Sequence, residues 1–313
     1  MGGLMVTGWE MVPETAKALS APVAKLLDVL AAGCGTLYSP WGIRRTAAAQ
    51  GDALVIMEEA RGRTEVAKRA AKRLIDVEER RQINIEAITQ IAIEQLPDEV
   101  SNISVQPDWT ARFLREAQDV SNEEMRLLWG KVLAGEVAKP GSFSTRTMSV
   151  IANLGQREAG KFQDLCSLVA KVNQTSLITF LTNEVGFGAN TQGLMFGDFQ
   201  ELQAAGLISF ESSGMISTFS VQRQGPAILY IERPGAILFI ATNLTSSPSY
   251  KNGMVSFTSA GAELFTIAEW RVVPEHDKRI FDGLIQQGWN VERKRIVERL
   301  KNGEFDTADF PYV

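Results

Sequence analysis

The chain holds a single histidine, His276, among its 313 residues. That scarcity excludes sites built on two or more imidazoles. It leaves Ser-His-Asp or Cys-His catalysis only if His276 itself is the base. His276 lies in VVPEHDKRIF, between Glu275 and Asp277 and just after Pro274, and reads as a solvated residue on the first turn of a helix. Cysteine is almost as scarce. Cys34 and Cys166 are far apart, match no zinc spacing, and are expected as buried free thiols. No D-x-D, H-E-x-x-H, Walker or G-x-G-x-x-G pattern occurs. No catalytic, cofactor-binding or metal-binding residue is assigned, so a non-enzymatic protein without a cofactor is expected.

Long apolar runs are also missing. A spanning helix needs about twenty mostly apolar residues, and the least polar stretch, Ala21 to Trp41, is broken by Lys25, Asp28 and two glycines. The start MGGLMVTGWEMVPETAK lacks a basic region followed by an apolar core, so no secretory leader is expected. A cytoplasmic location follows, with peripheral membrane contact through residues 1–45 as the alternative use of that stretch. The net charge of −5 gives no global basic field for nucleic acid, and no nucleic-acid partner is expected.

What is present is helical patterning. In QDVSNEEMRLLWGKVLAGEVAKPGSFSTRT, Ser121 and Glu124 have capping-box spacing. Met125, Leu128, Trp129, Val132 and Leu133 then recur as one buried helical face. Pro140-Gly141 makes a turn, and Ser142, Ser144 or Thr145 caps a helix carrying Met148, Ile151 and Leu154. Phe162, Leu165, Cys166 and Val169 line a further helix. In GSFSTRT, free amides at a helix start with Arg146 nearby suggest a small anion site as the alternative to simple capping.

This run, extended through MSVIANLGQREAGKF, resembles an uncharacterised bacterial family recorded as a domain of unknown function. RRQINIEAI upstream, and GLI and FTSAGAELF downstream, resemble the same family. The helical unit is similar, more loosely, to the alpha-type abortive-infection proteins of bacteria. The resemblance covers roughly residues 40 to 300 and carries no catalytic residues. It implies a setting of defence against phage, by association.

Upstream, Val12, Ala16, Leu19, Val23, Leu26, Leu27 and Leu30 form an amphipathic stripe that Pro22 interrupts. From Ile43 to Leu96 good helix formers predominate, and Leu96-Pro97 ends the segment. Its apolar stripe, Val66, Leu74, Val77, Ile85, Ile88 and Ile91, is thin and lies on a helix too long for one small core. It predicts a coiled-coil or hairpin stalk that meets a partner, most simply a second copy. Leu74, Val77, Ile85, Ile88, Trp129 and Arg146 are the candidate interaction residues, although the spacing of Trp129 with Met125, Val132 and Leu133 favours a core position.

After Asn173, an apolar helix is expected over Leu177–Val185 and a loop over Gly186–Gly193. A helix over Phe196–Ala205 follows, ended by Gly206. Strands are expected over Leu207–Phe210, Met215–Val221, Ala227–Glu232, Ala236–Thr242 and Met254–Phe257, separated by Gly- and Pro-rich turns. Helices at Thr258–Trp270 and Pro274–Gln287 follow. Trp289–Leu300 fits strand or helix, and the tail GEFDTADFPYV reads as loose. Helix, GLI and ribbon come in winged-helix order, yet Val172–Gln222 contains no lysine or arginine, which opposes phosphate binding.

The expected fold is α+β, predominantly α. Residues 1–41 form amphipathic helices, 42–97 a long stalk, 98–173 a helical core unit and 174–313 a winged-helix-like α/β module. The expected function is that of a non-enzymatic, homo-oligomeric bacterial anti-phage protein acting through contacts with itself and with a phage or host protein. A membrane-acting effector and a winged-helix nucleic-acid regulator are the alternatives.

Overall fold

The computed structural model describes residues 20–34, 64–174, 176–179, 191–210, 216–220, 227–243, 249–253, 255–300 and 304–309. The predicted stripe positions Val12, Ala16 and Leu19 and the start of the stalk, 43–63, lie outside the described residues. The chain is a mixed α+β protein, with a helical N-terminal half and a strand-rich C-terminal region. It divides into two compact units at Met148/Ser149, which falls inside the stretch read as the helical core unit.

The first unit is built from α1 (Ala21–Cys34), α2 (Glu65–Gln95), α3 (Pro107–Ala117) and α4 (Glu123–Ala138), and reaches into α5 (Thr145–Ala152). Pro22 sits in the first turn of α1, where its missing N–H costs nothing, so it opens this helix and does not kink it. The apolar face of α1, Leu26, Val29 and Leu30, is buried, and α1 packs on α3 and α4. α2 stops where expected: Leu96 is extended because Pro97 disfavours the helical region for the residue before it. The cap of α4 differs from expectation. Asn122, not Ser121, accepts from Met125 N at 3.1 Å, because Ser121 is turned toward Asn84. The core contains Trp109, Phe113 and Trp129, with Phe113 stacked on Trp109 at 5.2 Å and edge-on to Trp129 at 5.3 Å.

In the second unit, α6 (Gln156–Cys166) leads through a buried corner, 167–169, into a hairpin of β1 (Ala170–Val172) and β2 (Ser176–Ile178). The apolar helix expected from Leu177 is therefore a strand at its start. Asn173 and Gln174 adopt positive φ, which reverses the chain within a few residues and lets Leu177 pair with Lys171. Residues 180–190 lie outside the described residues.

α7 (Phe196–Ala204) ends at Gly206, whose φ of 80° is the left-handed stop the sequence predicted. The described strands before and after the turn at 234–236 pair with one another. β3 (Ile208–Phe210) joins β8 (Val255–Phe257), β4 (Ile216–Ser220) joins β7 (Ser249–Gly253), and β5 (Ala227–Arg233) joins β6 (Ile237–Asn243), all antiparallel. The pairs are nested in sequence as a ribbon described in three separate stretches of ladder, with β3–β8 at its base and β5–β6 at its tip. Lys251-Asn252-Gly253, expected as a turn, is part of strand β7.

At its base the ribbon meets α7 and α8 (Ser259–Phe265), the helix-and-ribbon order read from sequence. There a Cβ on Gly261 would lie 2.0 Å from Leu207 O, so only glycine lets α8 approach. At its tip the ribbon is built into a six-stranded antiparallel sheet, β10-β9-β6-β5-β1-β2. β9 (Asn290–Arg299) resolves the ambiguous segment as a strand. β10 (Phe305–Asp309) corrects the expectation of a loose tail, since it pairs with β9 from Arg299 to Lys294. α9 (Pro274–Gln286) covers one face, burying Ile280 and Leu284 against Val172, Leu229, Ile231, Phe239 and Trp289.

Candidate functional site

Of the interaction residues named from sequence, Leu74, Val77 and Ile88 fall on one seam of α2, Ile85 adjoins it, and Trp129 and Arg146 lie on α4 and α5. Along α2, Ala67, Ala70, Leu74, Val77, Arg81, Asn84, Ile88 and Ile91 alternate in steps of three and four, the spacing that keeps side chains on one side of a helix meeting another. The helix is continuous over 31 residues, so these positions form one line. Its C-terminal part is covered by the chain itself. Asn84 and Ile88 are buried, and Ile85 and Ile91 are half-buried. The backbone of α4 approaches so closely that a Cβ on Gly130 would lie 2.4 Å from Ile91 Cγ2.

The N-terminal part is not covered. Among the described residues of α2, none before Asn84 is buried. Val66 is 65% exposed and Leu74 50%, while Val77 is half-buried. Ile88 and Trp129 thus serve this chain's own core, and the open candidates on α2 are Val66, Leu74 and Val77.

A polar corner marks the border between the two parts. Asn84 Nδ2 donates to Gln118 O at 2.8 Å, and Arg126 donates to Asn84 Oδ1 at 2.5 Å and to Val120 O at 3.1 Å. Arg81 grips Asp119 with two N–H groups at 2.9 and 3.0 Å, and Arg80 adds a third bond at 3.3 Å. The Arg81 hydrogen bond holds the Asp119 carboxyl below the usual carboxylate range, against the effect of burial. Every donor and acceptor here anchors α2 at its middle, which fixes the direction in which its open half runs.

The anion reading of GSFSTRT meets an anion supplied by the chain itself. Glu136 is buried, and its carboxylate accepts from Gly141 N at 2.7 Å and from Phe143 N at 2.9 Å. Trp109 Nε1 donates to Phe143 O at 2.6 Å. Two amides of the loop are therefore occupied from within the chain, while Ser144 caps α5 by accepting from Thr147 N at 3.3 Å. Arg146 is exposed. Glu136 was not legible as a site residue, because it occupies a regular position of an apolar helix and its partners lie in the following turn. Lys25 Nζ donates to Ser101 O at 2.5 Å and Val137 O at 2.8 Å, closing the last turn of α4. Burial lowers its pKa, and Glu136 opposes the shift. Beside it lies an open groove of about 690 Å³ lined by Pro22, Lys25, Asp28, Asp98 and Glu99 among others.

In the second unit, His276 is the main correction. It is 2% exposed, not solvated. Its Nε2 lies 2.8 Å from Leu168 O, a carbonyl that can only accept, so Nε2 carries the proton. Burial, with Arg233 nearby, lowers its pKa to about 3, so the ring is neutral near pH 7. Arg233, also buried, donates to Asp277 Oδ1 at 2.6 Å, to Ser167 O at 2.9 Å and to Val169 O. Burial raises the Asp277 pKa, and the Arg233 guanidinium pulls it back. His276, Asp277 and Arg233 together tie α9 and the ribbon tip to the 167–169 corner. Pro274 places His276 and Asp277 on a helix start as predicted. What faces that turn could not be read, because its partners are a strand end and a corner distant in sequence.

On α7 the carboxylates already have cationic partners. Arg157 lies 3.8 Å from Asp198 and 3.7 Å from Glu201, and Lys161 donates to Asp198 at 3.3 Å. Cys166 is buried, which raises its thiol pKa and keeps it protonated. The side chain of Cys34 lies outside the described residues. Among the described residues no helix is long and apolar enough to cross a membrane.

The geometry defines a class: an α+β protein with a helical unit, in which the first half of a long helix has no buried residue, and a second unit built on an antiparallel sheet. The chain belongs to the DUF2806 family, a protein family of unknown function, and the match covers residues 68–279. No curated protein and no solved structure matches it.

Proposed function

We propose that this protein is a non-enzymatic bacterial defence protein that works through protein contacts, with the open half of α2 as its contact element. The observation that carries this reading is the apolar side of α2, whose buried positions end at Asn84 and which continues through half-buried Val77 to exposed Leu74 and Val66. Apolar positions in regular three-four spacing on an anchored helix are what a partner helix needs. The histidine expected of general acid–base chemistry is instead committed to a buried carbonyl. The defence setting rests on the resemblance to abortive-infection proteins, and the location is the cytoplasm.

Replacing Leu74 with lysine puts a charge in the open seam and leaves the covered half intact. Light scattering on the wild type should give a mass above that of the 34.4 kDa chain, and Leu74→Lys should reduce it with unchanged circular dichroism. Expression in a bacterial host should reduce plaque formation, and Leu74→Lys should abolish the protection. A wild type that stays monomeric up to high micromolar concentration, or a variant that dissociates yet still protects, would remove the contact element from this account.

A further inference from the structure

We infer that the occupant of the open seam is a second copy of α2, lying antiparallel across a two-fold axis. The register places Ala70 of each helix against Leu74 of the other, and Ala67 against Val77. This inference rests on the reading above, that the open half of α2 is a contact element. Three observations carry it. The first is direction. In α2 the seam beyond Asn84 is already filled by α4, which sits close enough to exclude a Cβ at Gly130. A parallel partner, being one straight helix, would carry its own residues 84–95 alongside that filled stretch and into the space α4 occupies. An antiparallel partner in this register sets the stretch from Glu65 to Glu79 of one helix against the same stretch of the other, so the seam positions that meet all precede Asn84. Both subunits then use the same patch, as a two-fold interface requires.

The second observation is size. The open seam positions alternate small and large, with Ala67 and Ala70 in one turn and Leu74 and Val77 in the next. Antiparallel packing in this register sets each small residue against a large one, which fills the seam at close helix separation. Parallel packing would set alanine on alanine and leave a gap there.

The third observation is charge. The register brings Lys68 and Arg69 of one helix within a turn of Asp76 and Glu78 of the second copy, twice over by symmetry. It also brings the two Arg73 side chains near the axis. A parallel pair would instead match Arg73 with Glu78. These are exposed pairs worth about 0–1 kcal/mol each, so the volume filled by α4 decides the direction.

Cross-linking tests the geometry on the full chain. Ala67→Cys and Val77→Cys are made separately in a Cys34→Ser background, where the remaining Cys166 is buried. Both substituted positions lie on the open half of α2, so folding is checked by circular dichroism and expected to be unchanged. Under mild oxidation, an equimolar mixture should give a covalent dimer containing one chain of each kind. Either protein alone should give at least tenfold less. Covalent dimers from each variant alone would show a parallel pair, which overturns this inference and leaves the contact element standing. A dimeric mass without any cross-link overturns the register in the same way. A monomeric wild type removes both.

Discussion

Gly130 offers a substitution whose sign depends on the packing of α2 on α4. In the interior of an exposed helix, glycine to alanine stabilises by about 1 kcal/mol, because alanine loses less backbone entropy. At Gly130 the added methyl carbon would lie 2.4 Å from Ile91 Cγ2, 2.8 Å from Ile91 Cβ and 3.3 Å from Ile88 O. Separations below about 3 Å require movement. Ile91 cannot swing aside cheaply, since a β-branched side chain on a helix has one strongly preferred rotamer. The helices must part instead, and overpacking of this kind costs about 1–3 kcal/mol. Set against the propensity gain of about 1 kcal/mol, Gly130→Ala should destabilise the first unit by up to about 2 kcal/mol. For a domain of roughly 150 residues that lowers the melting midpoint by roughly 2–4 °C per kcal/mol. Gly160 in α6 has no neighbour within 4 Å of a built Cβ and is the control. Gly160→Ala should leave stability unchanged or raise it by up to about 1 kcal/mol. Urea unfolding followed by circular dichroism measures both, and Gly130→Ala with Ile91→Ala should recover part of the loss through a non-additive term. If Gly130→Ala stabilises as Gly160→Ala does, α2 and α4 are not in contact there. The direction argument for the α2 pair then fails as well.

Asn122→Ala should cost about 1 kcal/mol through loss of the α4 cap, and Ser121→Ala distinctly less; equal losses in denaturant melts would return the cap to Ser121. Trp129→Ala, at a fully buried position, should cost roughly 3–5 kcal/mol, and an unchanged midpoint would place Trp129 outside the core. The His276 pKa is about 3 in the fold against about 6.5 unfolded, so the unfolded chain binds the extra proton. Its contribution is present above pH 6.5 and is lost as pH falls from there toward 3, with a slope approaching about 1.4 kcal/mol per pH unit. His276→Gln should flatten that part of the stability–pH curve relative to wild type, and parallel curves would contradict the buried neutral ring.

The elements that could be read from sequence are those whose signals are local. Leu96-Pro97, Gly206 and Pro274 stop or start helices through their own backbone preferences, and the structure places each of them where expected. The strands misread are those whose local signal is weak. Leu177 looked helical because Leu177, Ile178, Phe180 and Leu181 lie close together, and Phe305–Asp309 looked loose because β9, which pairs with it, supplies the order. Among the candidate interaction residues, spacing puts Leu74, Val77 and Ile88 on one seam of α2, with Ile85 adjoining it. It could not tell which of them the chain covers itself, since that depends on where α4 folds back. Glu136 and His276 were missed or misjudged for a related reason. Helix periodicity reports which face a residue occupies, and not which loop or carbonyl closes over it.

The long ribbon has a consequence for the order in which the second unit can form. Its tip, β5 and β6, is closed by three residues in which Gly235 and Ala236 both adopt positive φ, so this hairpin can nucleate from contacts near in sequence. Its neighbours in the sheet come from opposite ends of the unit: Lys171 must reach Glu232, and Arg295 must reach Ile237. Those pairings require large loops to close before any energy is returned. Arg233 lies beside the hairpin turn and binds Ser167, Val169 and Asp277 once the flanks arrive. Until they do, that arginine lacks these partners, so its burial can only follow the long-range pairings. A chain still emerging from the ribosome would hold a finished hairpin with two open edges until β9 follows it out, and in that interval it is exposed to pairing with the wrong strand.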